Sequence, residues 1–139
     1  MKDSLHIPSL RLGQPYRSLD TLKFSLGEQT LEVSVANSGL IRRDLQHLSR
    51  AVERLHEYPC ETLVGYCEKA AELFLHGDLP WGDGDRLQSP ADYVAALSQL
   101  TGLPHTLGRL NMGKVHAAMS NIRAVLTGLT RGLPLELFD

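Results

Sequence analysis

Residues 91–132 read ADYVAALSQL TGLPHTLGRL NMGKVHAAMS NIRAVLTGLT RG, and this stretch decides the class of fold. A short amphipathic helix ends at Thr101-Gly102-Leu103-Pro104, and a longer one follows. Val115, Met119, Ile122, Leu126 and Leu129 step by four, three, four and three, which lays them on one helical face. A helix patterned this way needs something to pack against. The remainder of the chain is therefore read as its partner.

Upstream, the first sign is β. Leu22, Phe24 and Leu26 alternate with polar residues, Gly27-Glu28-Gln29 turns the chain, and Leu31, Val33 and Val35 alternate again. The spacing predicts a hairpin over 21–35 with one apolar face. Two strands alone are marginal in water, and both outer edges would be open. Residues 1–20, broken by Pro8, Gly13 and Pro15, read as an extended arm.

Helices follow the hairpin. Ala36-Asn37-Ser38-Gly39 ends the hairpin and offers an N-cap, and Ile41, Leu45, Leu48, Val52 and Leu55 mark one helix of about four to five turns. Pro59 stops it and starts the next, in which Cys60, Leu63, Cys67, Ala70 and Phe74 form a stripe ending near Gly77. The tight link predicts that these two helices pair antiparallel. Residues 77–88, GDLPWGDGDRLQ, form the clearest loop. Ser89-Pro90-Ala91-Asp92 then carries the marks of a capped helix start, with Tyr93, Leu97 and Leu100 as its stripe. The last helix is expected over 106–130 as one piece, kinked or closely packed near Gly108 and Gly113. The tail, 133–139, alternates Leu133, Leu135 and Leu137 like a strand seeking a partner. The expected fold is α+β and mainly helical: an N-terminal β-hairpin and about four helices in two antiparallel pairs. Residues 21–139 would form one domain.

Composition narrows the function classes. The chain has 139 residues, 42% hydrophobic, 22% charged, with a formal net charge of −2. These are ordinary values for one globular domain. No Lys/Arg cluster suggests nucleic acid or an anionic membrane surface. No apolar run approaches the ~20 residues of a membrane span, and MKDSLHIPSL lacks the apolar core of a signal peptide. Cys60 and Cys67 lie two helical turns apart, roughly 10 Å, too far to bridge each other. A reducing cytoplasm is the expected compartment.

Candidate chemistry is sparse. The histidines are His6, His47, His56, His76, His105 and His116, and none stands four residues from another. His56, Cys60 and Cys67 could approach across the Pro59 turn, but a zinc site needs four ligands at defined spacing. Helix-packed cysteines are the plainer reading, and no metal is expected. Asp78, Asp83 and Asp85 share a loop, yet Gln88 stands where a calcium loop needs Gly and no Glu closes it. Glu61, Glu68 and Glu72 with Lys69 read as a solvated helix face. Trp81 is either a binding platform or a plug packed on the helices, the latter being commoner. Cys60 near a helix start invites a lowered pKa, but no base partner is identifiable. Gly102-Leu103-Pro104 is a helix–helix turn and no phosphate loop. No catalytic, cofactor-binding or metal residue is assigned.

The order of elements resembles the N-terminal region of the aldehyde dehydrogenase superfamily. The hairpin from Thr21 to Val35, the helix from Ile41 to Leu55, and Glu61-Thr62-Leu63-Val64-Gly65-Tyr66-Cys67-Glu68-Lys69-Ala70-Ala71-Glu72-Leu73-Phe74 carry the likeness. The last is similar to that family's R-x-x-x-L-x-K-A-A-D-L-L helix. Thr101-Gly102-Leu103-Pro104 resembles its Thr-Gly-Lys-Pro turn, with Leu103 in place of Lys. Arg11-Leu12-Gly13-Gln14-Pro15-Tyr16-Arg17-Ser18-Leu19 and Leu129-Thr130-Arg131-Gly132-Leu133 look closer to a bacterial aldehyde-dehydrogenase-like branch akin to acyl-CoA reductases. In the family the dinucleotide-binding strands, the catalytic Cys, the general-base Glu and the oxyanion Asn lie downstream of this segment, and neither Cys60 nor Cys67 matches the catalytic motif. The resemblance implies a truncated or separately encoded N-terminal piece of an NAD(P)-dependent oxidoreductase. Such a piece holds no cofactor of its own. It packs on the parent's downstream cofactor domain or on a second copy of itself. The alternative is a free-standing helical protein–protein interaction module. A weaker third option is a small enzyme or metal protein that uses the histidines and cysteines.

Overall fold

A computed structural model of the chain describes residues 4–139. It is α+β and mainly helical, as the periodicities imply. The expected arm is not irregular. Its residues 1–3 lie outside the described ones, and the rest holds three strands: β1 (Ser4–Ile7), β2 (Ser9–Arg11) and β3 (Gln14–Tyr16). β2 and β3 form their own small antiparallel ladder, turning through Leu12 and Gly13, both at positive φ. β4 (Thr21–Leu26) and β5 (Gln29–Ser34) are the expected hairpin, with Phe24 opposite Leu31 and Leu22 opposite Val33.

β1 lies parallel to β5, pairing Leu5 with Leu31 and Ile7 with Val33, so the sheet order is β1-β5-β4. One expected open edge is thereby closed. Four-residue β1 escaped the sequence reading because Pro8, just after it, masks its short alternation. Leu5, Leu26 and Leu31 form the core of the sheet layer, with Trp81 and Ala96 packed against them.

The first expected helix is two: α1 (Ser38–Leu45) and α2 (Leu48–Leu55). Asn37 caps α1 by accepting the Leu40 N–H at 3.0 Å. His47, at φ −102 and ψ 5, interrupts the run and has no side-chain cap. The stripe predicted to be buried is not: Ile41, Leu45, Leu48, Val52 and Leu55 are 46–61% exposed. The expected pairing with the following helix is replaced by another.

That helix, α3 (Cys60–His76), packs mainly along α5 (His105–Ser120). Glu72 reaches His116 of α5, and Glu61, toward the other end of α3, reaches Arg123 just beyond the C-terminal end of α5, so the two run antiparallel. The buried stripe is Val64 and Ala71, one residue on from Leu63 and Ala70. α4 (Pro90–Thr101) joins through Val94, and Met112 of α5 completes this second core. Ser89 and Asp92 form the expected capping box, and Gly102 ends α4 at φ 73. Close packing at Gly108 explains that glycine, since an added Cβ would stand 3.3 Å from Val94 Cγ1.

The long helix is broken, but at Asn121 and not at its glycines. α6 (Ile122–Leu129) begins there, with Asn121 at φ −99 and ψ 15. Within the loop 77–88, β6 (Leu79–Pro80) and β7 (Leu87–Gln88) make a short ladder. The tail is a 3-10 turn, Leu135–Phe138, laid on α3 with Leu135 buried. Pro134 starts that turn with its fixed φ, which outweighs the alternation of leucines. No helix among the described residues is long and apolar enough to cross a membrane.

Candidate functional site

A Ser–His–Asp line joins β1, β5 and the 77–88 loop. Alternation in β1 turns Leu5 and Ile7 to the apolar face and His6 to the other. There His6 Nε2 meets Ser34 Oγ of β5 at 2.9 Å, and His6 Nδ1 meets Asp83 Oδ2 at 2.7 Å. The Asp83 carboxylate carries no proton to give, so His6 Nδ1 donates to it, while the Ser34 hydroxyl meets Nε2 and also accepts the Ser18 N–H at 2.9 Å. The Asp83 N–H returns to the His6 carbonyl at 3.0 Å.

This is the connectivity of a nucleophilic triad. The surroundings argue for a clamp instead. His6 is 4% and Ser34 8% exposed. A nucleophile needs access to its substrate. What the line does is pin the 81–86 loop to the outer edge of β1. The sequence reading treated Asp83 as one of three loop carboxylates and gave His6 no partner. The legible clue was a histidine between Leu5 and Ile7, whose alternation demands a polar partner on the opposite face.

Trp81 is a plug, but its support is the sheet core and not the helices alone. Asp78, Asp83 and Asp85 do not converge on a common point, and neither do His56, Cys60 and Cys67. The Cys60 thiol is pushed up, by partial burial first and then by Asp139, the reverse of activation by a helix N-terminus. Asp139 accepts the Cys60 N–H at 2.6 Å and so caps α3, whose own N-cap, Pro59, has no side chain to do it. Cys60 and Cys67 are both free thiols.

A second cluster lies where α3 crosses α5. Glu72 and His76 stand one turn apart on α3, and His116 faces them from α5. His116 Nε2 is 2.6 Å from Glu72 Oε1, and His76 Nε2 is 3.9 Å from Glu72 Oε2. The hydrogen bond from His116 holds the Glu72 carboxyl below the usual range. The two imidazoles meet edge to face, with centroids 6.1 Å apart. The sequence pattern places Glu72 on a solvated helix face and pairs His116 with no other histidine at helical spacing. Only the α3–α5 packing brings residues 40 and more positions apart together.

The third feature is the exposed stripe of α1 and α2. Arg11 ties α1 to the β2–β3 ladder through two bonds to Asp44, of 2.9 and 2.5 Å, and stacks 4.6 Å over Tyr16. Beside the stripe, Leu12, His47, Arg50, Ala51 and Arg54 line a groove of about 460 Å3. Compared with protein families, curated proteins and solved structures, the chain finds no match in any of the three.

Proposed function

We propose that this chain is a structural, non-catalytic segment of an NAD(P)-dependent aldehyde-dehydrogenase-like oxidoreductase, docking through α1 and α2 on the cofactor domain and supporting oligomer contacts. One observation carries the docking: five apolar side chains of α1 and α2 stand about half exposed. Burying the remaining half of five such side chains would contribute roughly 5 kcal/mol before association costs. The likeness of the 61–74 helix and the Thr101–Pro104 turn supports the choice of parent. The chain itself has no glycine-rich phosphate loop and no Cys/Glu pair in a matching context. Two free thiols suit a reducing compartment such as the cytoplasm.

A second reading is a free-standing interaction module. The groove lined by His47, Arg50 and Arg54 beside the stripe suits an acidic amphipathic segment.

The test joins the chain to a polypeptide carrying the dinucleotide-binding domain and compares it with the chain alone. Amides of residues 38–55 should exchange more slowly in the joined protein. Calorimetry of the chain alone with NAD or NADP should show no saturable heat. Equal exchange in both forms, or micromolar cofactor binding by the chain alone, would overturn the reading.

A further inference from the structure

We propose that Glu72, His76 and His116 form a binding site for a divalent cation of the zinc class, clipping the C-terminal end of α3 to α5. Glu72 and His76 are four residues apart on one helix and so share a face. His116 enters from the antiparallel neighbour. One ligand atom from each residue lies within 4.8 Å of the other two. Zinc held at its usual bond lengths sets tetrahedral ligands about 3.4 Å apart. The two histidines stand 2.6 and 3.9 Å from the Glu72 carboxylate oxygens, on either side of that value, and the Glu72 and His76 side chains are about two-thirds exposed.

The donor set selects the ion. Two imidazoles and one carboxylate suit Zn2+ and neighbouring transition ions, whereas Ca2+ and Mg2+ demand oxygen ligands throughout. Three protein ligands leave a fourth position for water. Glu72 is shared by both imidazoles: His116 Nε2 meets one oxygen at 2.6 Å and His76 Nε2 stands 3.9 Å from the other. The site is independent of the α1–α2 surface and of the oxidoreductase reading.

The experiment uses the full chain, stripped of metal, titrated with Co2+ by visible absorption and then with Zn2+ in competition. One equivalent should bind, with Zn2+ micromolar or tighter, and should raise the Tm. His76→Ala, Glu72→Gln and His116→Ala should each weaken binding about tenfold or more and abolish the Tm rise. His105→Ala should do neither. His76 is two-thirds exposed, so His76→Ala keeps the fold and remains decisive where His116→Ala unfolds the chain. Absence of saturable binding, or binding that His76→Ala leaves intact, would overturn the site.

Discussion

A Cβ placed on Gly82 would stand 2.6 Å from the carbonyl oxygen of His6. Gly82 also has φ +76, in the left-handed region that glycine tolerates best. The loop therefore lies directly on the backbone of β1. Gly82→Ala combines a left-handed penalty with a backbone clash, and should cost about 2–4 kcal/mol. Urea unfolding measures it. A loss below about 0.5 kcal/mol, small for any strained position, would mean that the loop slides off the strand.

The same contact is held from the other side by Ser34. Ser34→Ala leaves the Ser18 N–H and His6 Nε2 without their partner in a buried place. The expected destabilisation is about 1–3 kcal/mol. As a clamp, the Ser–His–Asp line should not react with a fluorophosphonate probe. Labelling at Ser34 would turn it into a nucleophile.

How much of this was legible follows from the range of each signal. The hairpin, the Ser89–Asp92 capping box and the Gly102 stop were read correctly, because each is fixed by neighbours a few residues apart. β1 was missed because its partner, β5, is more than twenty residues away. The stripe from Ile41 to Leu55 was correctly periodic, yet periodicity names a face and not what covers it. The break at Asn121 escaped because Gly108 and Gly113 are weaker helix formers than anything near it. Leu135 looked like a strand residue until Pro134 set the turn. The Glu72–His76–His116 group needed the α3–α5 pairing, which no local pattern contains.

Acid should loosen the chain in a defined window. Hydrogen bonding to Arg11, against a smaller opposing effect of partial burial, holds Asp44 below its ordinary pKa, and Arg123 does the same for Glu61. A depressed folded pKa gives stability that is present above the unfolded value, about 3.9 for Asp and 4.3 for Glu. It is lost as pH falls through the folded value. The Tm contribution of these pairs should be flat above about pH 5 and decline below about pH 4. Asp44→Asn with Glu61→Gln should flatten that decline. An unchanged acid limb would remove both pairs from the account.

Asp139 caps α3 from the far end of the chain, so its loss should be felt at Cys60. Asp139→Ala should cost about 0.5–2 kcal/mol, the usual range for an N-cap. Its carboxylate also helps push the Cys60 thiol up, so the variant should expose a more acidic thiol. Alkylation of Cys60 at pH 8 should then be faster than in the parent. Equal rates in both would place the cause in burial alone.

The stripe on α1 and α2 separates packing within the chain from packing between chains. If Leu48 and Val52 are surface groups, replacing both by Glu removes little from the folded monomer, whereas comparable replacements in a core cost 2–5 kcal/mol each as an order of magnitude. Their apolar area is of the kind that soluble monomers seldom leave bare. The open outer edge of β4 adds a template for strand pairing. The parent chain should therefore self-associate at tens of micromolar, as an order-of-magnitude expectation for a small apolar contact. Leu48→Glu with Val52→Glu should sediment as a monomer with its Tm nearly unchanged. A clean monomer of the parent chain at high micromolar concentration would show that the stripe drives no association. A double variant that loses several kcal/mol of stability would show that the helices pack inward in solution. The second result would take away the docking surface on which the proposed function rests.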